Sequence, residues 1–232
     1  VYSNVLDYIT TASTGNATDF GDFSVTVYSH ARGVTSDGTT GLFQGGYNGS
    51  ARVNTIHKIT IATPGNSVDF GDLTEARMRG GAAGDATRGL CSSGSASANS
   101  NVIDYVTIGT AGNATDFGDG TIVRTELSGA SDATRSLFLG GHGNGAASDR
   151  VTIDYVTTQS AGNATDFGDL TGQRFDGSSN SNGTKALSVG YHNNATSNII
   201  DQVTIQTAAN ATDFGDLTVA RFGMGAASGT AA

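Results

Sequence analysis

The residue pattern with the strongest claim to chemistry is an acidic pair that recurs through the chain. Asp-Phe-Gly-Asp opens at Asp19, Asp69, Asp116, Asp166 and Asp213, inside variants of GNATDFGDLT. Each copy presents two carboxylates three residues apart: Asp19 and Asp22, Asp69 and Asp72, Asp116 and Asp119, Asp166 and Asp169, Asp213 and Asp216. Hard cations take carboxylate oxygens, so these pairs are candidate metal ligands. The spacing lacks the alternating Asp/Asn run of a calcium loop, and recurrence in every copy favours a structural duty. As capping groups for turns, or as partners of a repeated Arg such as Arg124 or Arg221, these carboxylates need no metal. We therefore expect no metal and no cofactor. The letters DFG also occur in protein kinases, but no Gly-rich loop, strand lysine or catalytic-loop motif accompanies them, and the match is chance.

Other candidate groups read as bland. Seven Asn-x-Ser/Thr triplets begin at Asn16, Asn48, Asn113, Asn163, Asn182, Asn194 and Asn210. Four belong to the repeated turn, where Asn serves the backbone rather than a glycan. Of the four histidines, His142 and His192 follow corresponding strands and could share a metal, but exposed loop histidines are the simpler reading, as for His30 and His57. No serine lies in a nucleophile-elbow context and no Ser-His-Asp set is legible. Cys91 stands alone in a strand-like run and reads as a buried, inert thiol. The expectation is a protein without enzymatic activity.

The elements that carry these residues repeat at intervals of 50, 47, 50 and 47 residues. Such a period marks an array of supersecondary units that bury their apolar faces on one another. Each period holds four short segments. One begins at Arg77, Arg124, Arg174 or Arg221 (Val27 in the first copy) and runs into small residues such as Gly80-Gly81-Ala82-Ala83. A basic-then-apolar segment ends in glycine, as in Arg135-Ser136-Leu137-Phe138-Leu139-Gly140-Gly141. The third is Val102-Ile103-Asp104-Tyr105-Val106-Thr107 and its copies, and DFGD is the fourth. All are short and rich in Val, Ile, Thr, Tyr and Phe, with Gly and Asn between them and one proline in the whole chain, so they read as strands.

Four antiparallel strands per period is the arithmetic of a propeller blade. We expect an all-β chain forming a single β-propeller over residues 1–232. Its blades would lie near 24–73, 74–119, 120–169 and 170–216, with a fifth composed of 217–232 and 1–23. The stretch from Asp213 to the last residue and round from Val1 to Asp19 is 38 residues, about ten short of a period, and the Leu-Phe-x-Gly-Gly strand is what it lacks. The composite blade is therefore incomplete, or the chain comes from a larger array. Small residues after the Arg suit a crowded central strand, and Phe20, Phe70, Phe117, Phe167 and Phe214 would fill the spaces between blades.

The pattern resembles the kelch repeat in the Arg, the glycine pairs Gly45-Gly46 and Gly140-Gly141, the acidic-Tyr steps Asp104-Tyr105 and Asp154-Tyr155, and an aromatic in the last strand. It departs in using Phe where kelch repeats carry Trp, which this chain lacks. The wording IDYVTI leading into GNATDFGDLT is similar to repeat proteins of marine tailed bacteriophages. That likeness implies a virion surface or tail-fibre component that attaches to a host receptor. The partners it implies are other virion proteins and a host-surface glycan or protein, with several copies per particle and a virion or extracellular location. A bacterial extracellular adhesin or carbohydrate-binding module, and a capsid decoration protein, are the alternatives.

Composition narrows the field independently. Charged residues make up 14% of the chain, where roughly a quarter is usual, and the net charge is −9. Without a basic cluster there is no surface for nucleic-acid phosphates, and no apolar run has the length to span a membrane. The residues free of the repeat fall in polar loops, including Tyr47, Asn48, His142, Asn144, Tyr191 and His192, and these are the candidate recognition residues.

Overall fold

The computed structural model describes residues 3–25, 34–144, 150–189, 196–221 and 223–227. Among them there is no α-helix; the chain is all-β, built mainly from four-stranded antiparallel sheets. The first sheet has two strands, β1 (Val5–Tyr8) and β2 (Thr18–Asp22). The second runs β3 (Val34–Ser36), β4 (Thr40–Tyr47), β5 (Arg52–Thr60), β6 (Val68–Asp72), each paired with the next. The third repeats that order with β7 (Gly81–Gly84), β8 (Arg88–Ser95), β9 (Asn99–Thr107) and β10 (Thr115–Asp119). A short ribbon of β11 (Arg124–Thr125) and β14 (His142–Gly143) adjoins the fourth sheet, which orders β12 (Ser128–Ser131), β13 (Arg135–Leu139), β15 (Thr152–Thr157) and β16 (Thr165–Asp169). The fifth is β17 (Ser178–Ser181), β18 (Lys185–Val189), β19 (Ser197–Thr204) and β20 (Thr212–Arg221).

Local sequence explains the hairpins. In the second to fifth sheets the link between the first two strands opens with Asp or Asn, whose side-chain oxygen accepts from the amides two and three residues on. Asp37 holds Thr39 and Thr40 (2.8 and 2.7 Å), Asp85 holds Thr87 and Arg88, Asp132 holds Thr134 and Arg135, and Asn182 holds Thr184 and Lys185. At the other side of every sheet the DFGD strand carries a β-bulge. In the third, Asp116 pairs with Asp104 and Gly118 with Ile103, which leaves Phe117 as the extra residue. The same register shift recurs in the four other sheets.

The core is not one mass but a series of seams between successive sheets. Leu42, Ile56 and Phe70 of the second sheet meet Cys91, Val106 and Ile108 of the third. Leu90, Ile103 and Phe117 of the third meet Leu127, Phe138 and Val156. Leu137, Ile153 and Phe167 of the fourth meet Ala186, Val203 and Ile205 of the fifth. Phe23, just after β2, packs edge-on against Phe43 at 4.9 Å. The small first strands gather on one side: β3, β7, β12, β17 and Ala226 together line a single cavity of about 240 Å³. Gly is required where they approach most closely, since a Cβ on Gly129 would stand 2.0 Å from the Ala82 carbonyl oxygen.

A chain of backbone bonds links the entries to these strands. Arg79, Glu126, Asp176 and Gly223 all have φ near +60°. Glu126 N donates to Arg79 O (2.7 Å), Asp176 N to Glu126 O (3.2 Å) and Gly223 N to Asp176 O (2.8 Å). Gly223 therefore occupies a fourth equivalent place, and Ala226 follows it to the shared cavity.

Candidate functional site

The repeated charged residues lie in the seams, and their pairing differs from one of the two expectations. The first Asp of each DFGD accepts from the Gly amide two residues on, at 2.8–3.1 Å, in all five copies, Asp19, Asp69, Asp116, Asp166 and Asp213. That is the capping role. Pairing of these carboxylates with the repeated Arg is not what forms. Arg77, Arg124 and Arg174 reach instead to Asp104, Asp154 and Asp201, the acids inside the third strands of the following sheets. The Arg77–Asp104 and Arg124–Asp154 contacts are both 2.8 Å, and all six side chains are nearly inaccessible.

Each node is completed by its surroundings. Arg124 also donates to the carbonyls of Gly140, Thr152 and Phe138, while Thr121 donates its amide and hydroxyl to Asp154. Arg77 donates to Val102 O and Cys91 O, and Thr74 bonds Asp104 twice. In the Arg77 node burial pushes the Asp104 carboxyl above its ordinary value, while for Arg77 the lowering by burial is outweighed by Cys91, Asp104 and Glu75 and the guanidinium is raised; in the next node burial pushes the Arg124 guanidinium below its ordinary value. Such nodes are compensated ion pairs inside the fold, closed to solvent and to substrate.

The second Asp of DFGD serves through its backbone. The amides of Asp22, Asp72, Asp119 and Asp169 donate to Asn66, Asn113, Asn163 and Asn210 of the next sheet at 3.0–3.1 Å. The repeated Asn thus does serve backbone, but that of its neighbour. The two segments touch so closely that a Cβ on Gly118 would lie 2.5 Å from Gly162 C and O. Phe20, Phe70, Phe117 and Phe167 are buried beside these contacts, as expected of seam fillers. Phe214 is the exception at 56% exposure, and Gly215 meets nothing within 4 Å, because no sheet among the described residues covers that face; Asp216 lies there too. Arg221 likewise has no acid across a seam and donates to Val219 O in its own strand (3.2 Å).

The first seam has a histidine where the other seams have the acid. His57 occupies the place of Asp104, buried, with its Nδ1 3.3 Å from Ser24 Oγ and 3.5 Å from Ser67 Oγ. Sequence reasoning left His57 as a loop residue; it lies inside β5, packed against Phe23 (ring centroids 5.4 Å). His57 and Ser67 are buried and Ser24 lies at the exposed edge of the contact, so the Ser-His proximity ties the strand end of the first sheet to the second.

What remains for function sits where the second-to-third strand links and the segments after DFGD come together, at one end of the sheets. Asn99 Nδ2 donates to Asn144 Oδ1 (2.8 Å), joining the loops of the third and fourth sheets. Arg52 reaches Ser95 Oγ (3.0 Å), joining the second and third. Arg150 donates to His142 Nε2 (3.2 Å) and Gln173 Oε1 (3.3 Å) and lies 5.5 Å from the Phe175 ring, which His142 meets edge-on. Among the expected recognition residues, His142 and Asn144 belong to this cluster. Tyr47 ends β4, and Asn48 closes its own hairpin through the amides of Ser50 and Ala51. Tyr191 and His192 fall outside the described residues, as does His30.

The loops were legible as variable segments, but the cross-loop bonds of Arg52, Asn99 and Arg150 were not, because no sequence spacing relates one sheet's loop to the next. Chemically the cluster offers amides, hydroxyls, an imidazole and two guanidinium groups, suited to hydrogen-bond recognition. No group of three His, Cys, Asp or Glu among the described residues could hold a metal ion. Among the described residues no helix is long and apolar enough to cross a membrane. Compared with known proteins, the chain matches no family model, and no curated protein matches it.

Proposed function

We propose that the chain is a kelch-like β-propeller serving as a non-enzymatic attachment module on the surface or tail of a marine tailed phage. The observation that carries this reading is the division of labour between residues. Repeated Arg–Asp pairs are consumed in the seams and the repeated DFGD carboxylates cap their own turns, whereas non-repeated polar side chains of adjacent sheets, Asn99 with Asn144 and Arg52 with Ser95, meet at one end. First strands bordering one cavity support a radial arrangement of the sheets. The mechanism is multivalent: a rigid scaffold presents modest hydrogen-bonding loops, and several copies on one particle add avidity. The partners are other virion proteins and a host-surface glycan or protein.

Antibody raised against the purified chain is expected to label phage particles, and excess free chain to slow their adsorption to host cells. Label on bacterial envelopes instead of particles would assign the protein to a cellular adhesin. Labelled capsids with unchanged adsorption would make it a decoration protein. Either result overturns the attachment reading.

A further inference from the structure

We infer that the outer face of the fifth sheet is a head-to-tail docking surface for the first sheet of a second copy of this chain. The argument rests on the seams and is independent of the attachment reading. Three successive seams use one set of contacts: an Arg before a sheet grips an Asp in the next, the DFGD glycine lies against a Gly or Ala beside an Asn, and the DFGD Phe is covered. The fifth sheet holds the donor half of that set with nothing on it. Phe214 is 56% exposed, Gly215 is open, and Arg221 is exposed. The first sheet holds the acceptor half, equally unused. Asp7 stands where the buried Asp104, Asp154 and Asp201 stand in their sheets but is exposed, and Ile9 is 63% exposed where its counterpart Val106 is 3% exposed.

Charge and shape therefore complement each other across the two faces, yet within one chain they are apart, since Gly215, unlike Gly21, Gly71, Gly118 and Gly168, meets no backbone within 4 Å. A second copy satisfies both at once, with Arg221 and Thr218 meeting its Asp7 and its Asn16 receiving the Asp216 amide. One local change is required. In the second, third and fourth sheets the last strand stops at Asp72, Asp119 and Asp169, whereas β20 runs on to Arg221, paired with Ser197. Docking draws Leu217–Arg221 away from Ser197 into the course its counterparts follow. The contact is heterologous, so each copy still offers one free face, and association continues into short arrays or a ring.

Sedimentation velocity on the 232-residue chain tests this. The parent is expected to associate with rising concentration, and Arg221→Asp or Asp7→Arg each to weaken association roughly tenfold or more. Mixing the two variants is decisive: the intact Arg221 of one meets the intact Asp7 of the other, so the mixture associates where neither variant does alone. A parent that stays monomeric overturns the proposal. So does a monomer whose melting temperature falls with each substitution and recovers in the doubly substituted chain, because that outcome means one chain closes on itself. Asn48→Ala, remote from both faces, controls for general effects and is expected to associate like the parent.

Discussion

The buried Arg–Asp node is the residue-scale device that joins one sheet to the next, and its energetics are lopsided. Removing one partner leaves the other charged and buried, at a cost of about 3–5 kcal/mol, whereas replacing both with apolar groups is often close to neutral. Arg124→Met is therefore expected to lower the melting temperature steeply. The double substitution Arg124→Met/Asp154→Leu is expected to recover much of the loss, a coupling that a double-mutant cycle in thermal melts reads directly. Additive losses would show that the two side chains do not act as a unit. The chain carries its own version of this experiment. Val27 is the one copy without the Arg, and the acid position next in sequence, His57, is the one copy without the Asp. That paired exchange was the sequence signal that identified the partners. It was obscured because the DFGD carboxylates are the more conspicuous acids, while Asp104 lies within an apolar run where a charge needs a partner from another sheet.

At the scale of elements, strands and turns were legible because each is fixed locally: β-formers alternate with Gly, Asn and Asp at every reversal. The bulge at DFGD was not, since nothing in those four letters says that Phe is the unpaired residue until its ring has a seam to fill. The Asx turns make the pH behaviour calculable in sign. Burial tends to raise Asp85 and Asp132, but bonds from Gln159 and Gln206 and from the turn amides outweigh it and hold both carboxyls below their ordinary value. Asp37 is lowered by the Thr40 amide and by Thr39. A depressed carboxyl contributes stability above its unfolded pKa, about 3.9, and that contribution disappears as pH falls through the folded value. The fifth sheet makes the same turn with Asn182, which does not titrate. Asp85→Asn/Asp132→Asn is accordingly expected to melt like the parent at neutral pH and to lose less stability than the parent below about pH 4. Parallel melting curves from pH 6 to pH 2.5 would remove these turns from the acid response.

For the whole molecule, the repeat foretold a body in which each unit is stabilised by its neighbours, and the seams have that form: each cluster joins two successive sheets and no cluster spans three. What the period could not reveal was the state of the outermost faces, because sequence repetition is the same for a covered sheet as for an uncovered one. Stability in such an array is a sum of unit and nearest-neighbour contributions, so a sheet with one seam is held by about half the interface of a sheet with two. The third and fourth sheets have a seam on each side. The first has one seam and two strands, with Val5, Tyr8 and Ile9 exposed at 51%, 40% and 63%. The fifth has one seam, with Phe214 and Val219 exposed at 56% and 62%. Local opening follows that gradient. Hydrogen exchange at concentrations where the chain is monomeric is expected to be fastest in β1 and β2, intermediate in β19 and β20, and slowest in β8, β9, β13 and β15. Where copies dock head to tail, protection of β20 and β1 rises together with concentration, while β9 and β15, already enclosed, stay unchanged. Uniform protection from the first sheet to the fifth would mean that the chain opens as a single cooperative unit, and the nearest-neighbour account of its stability would not hold.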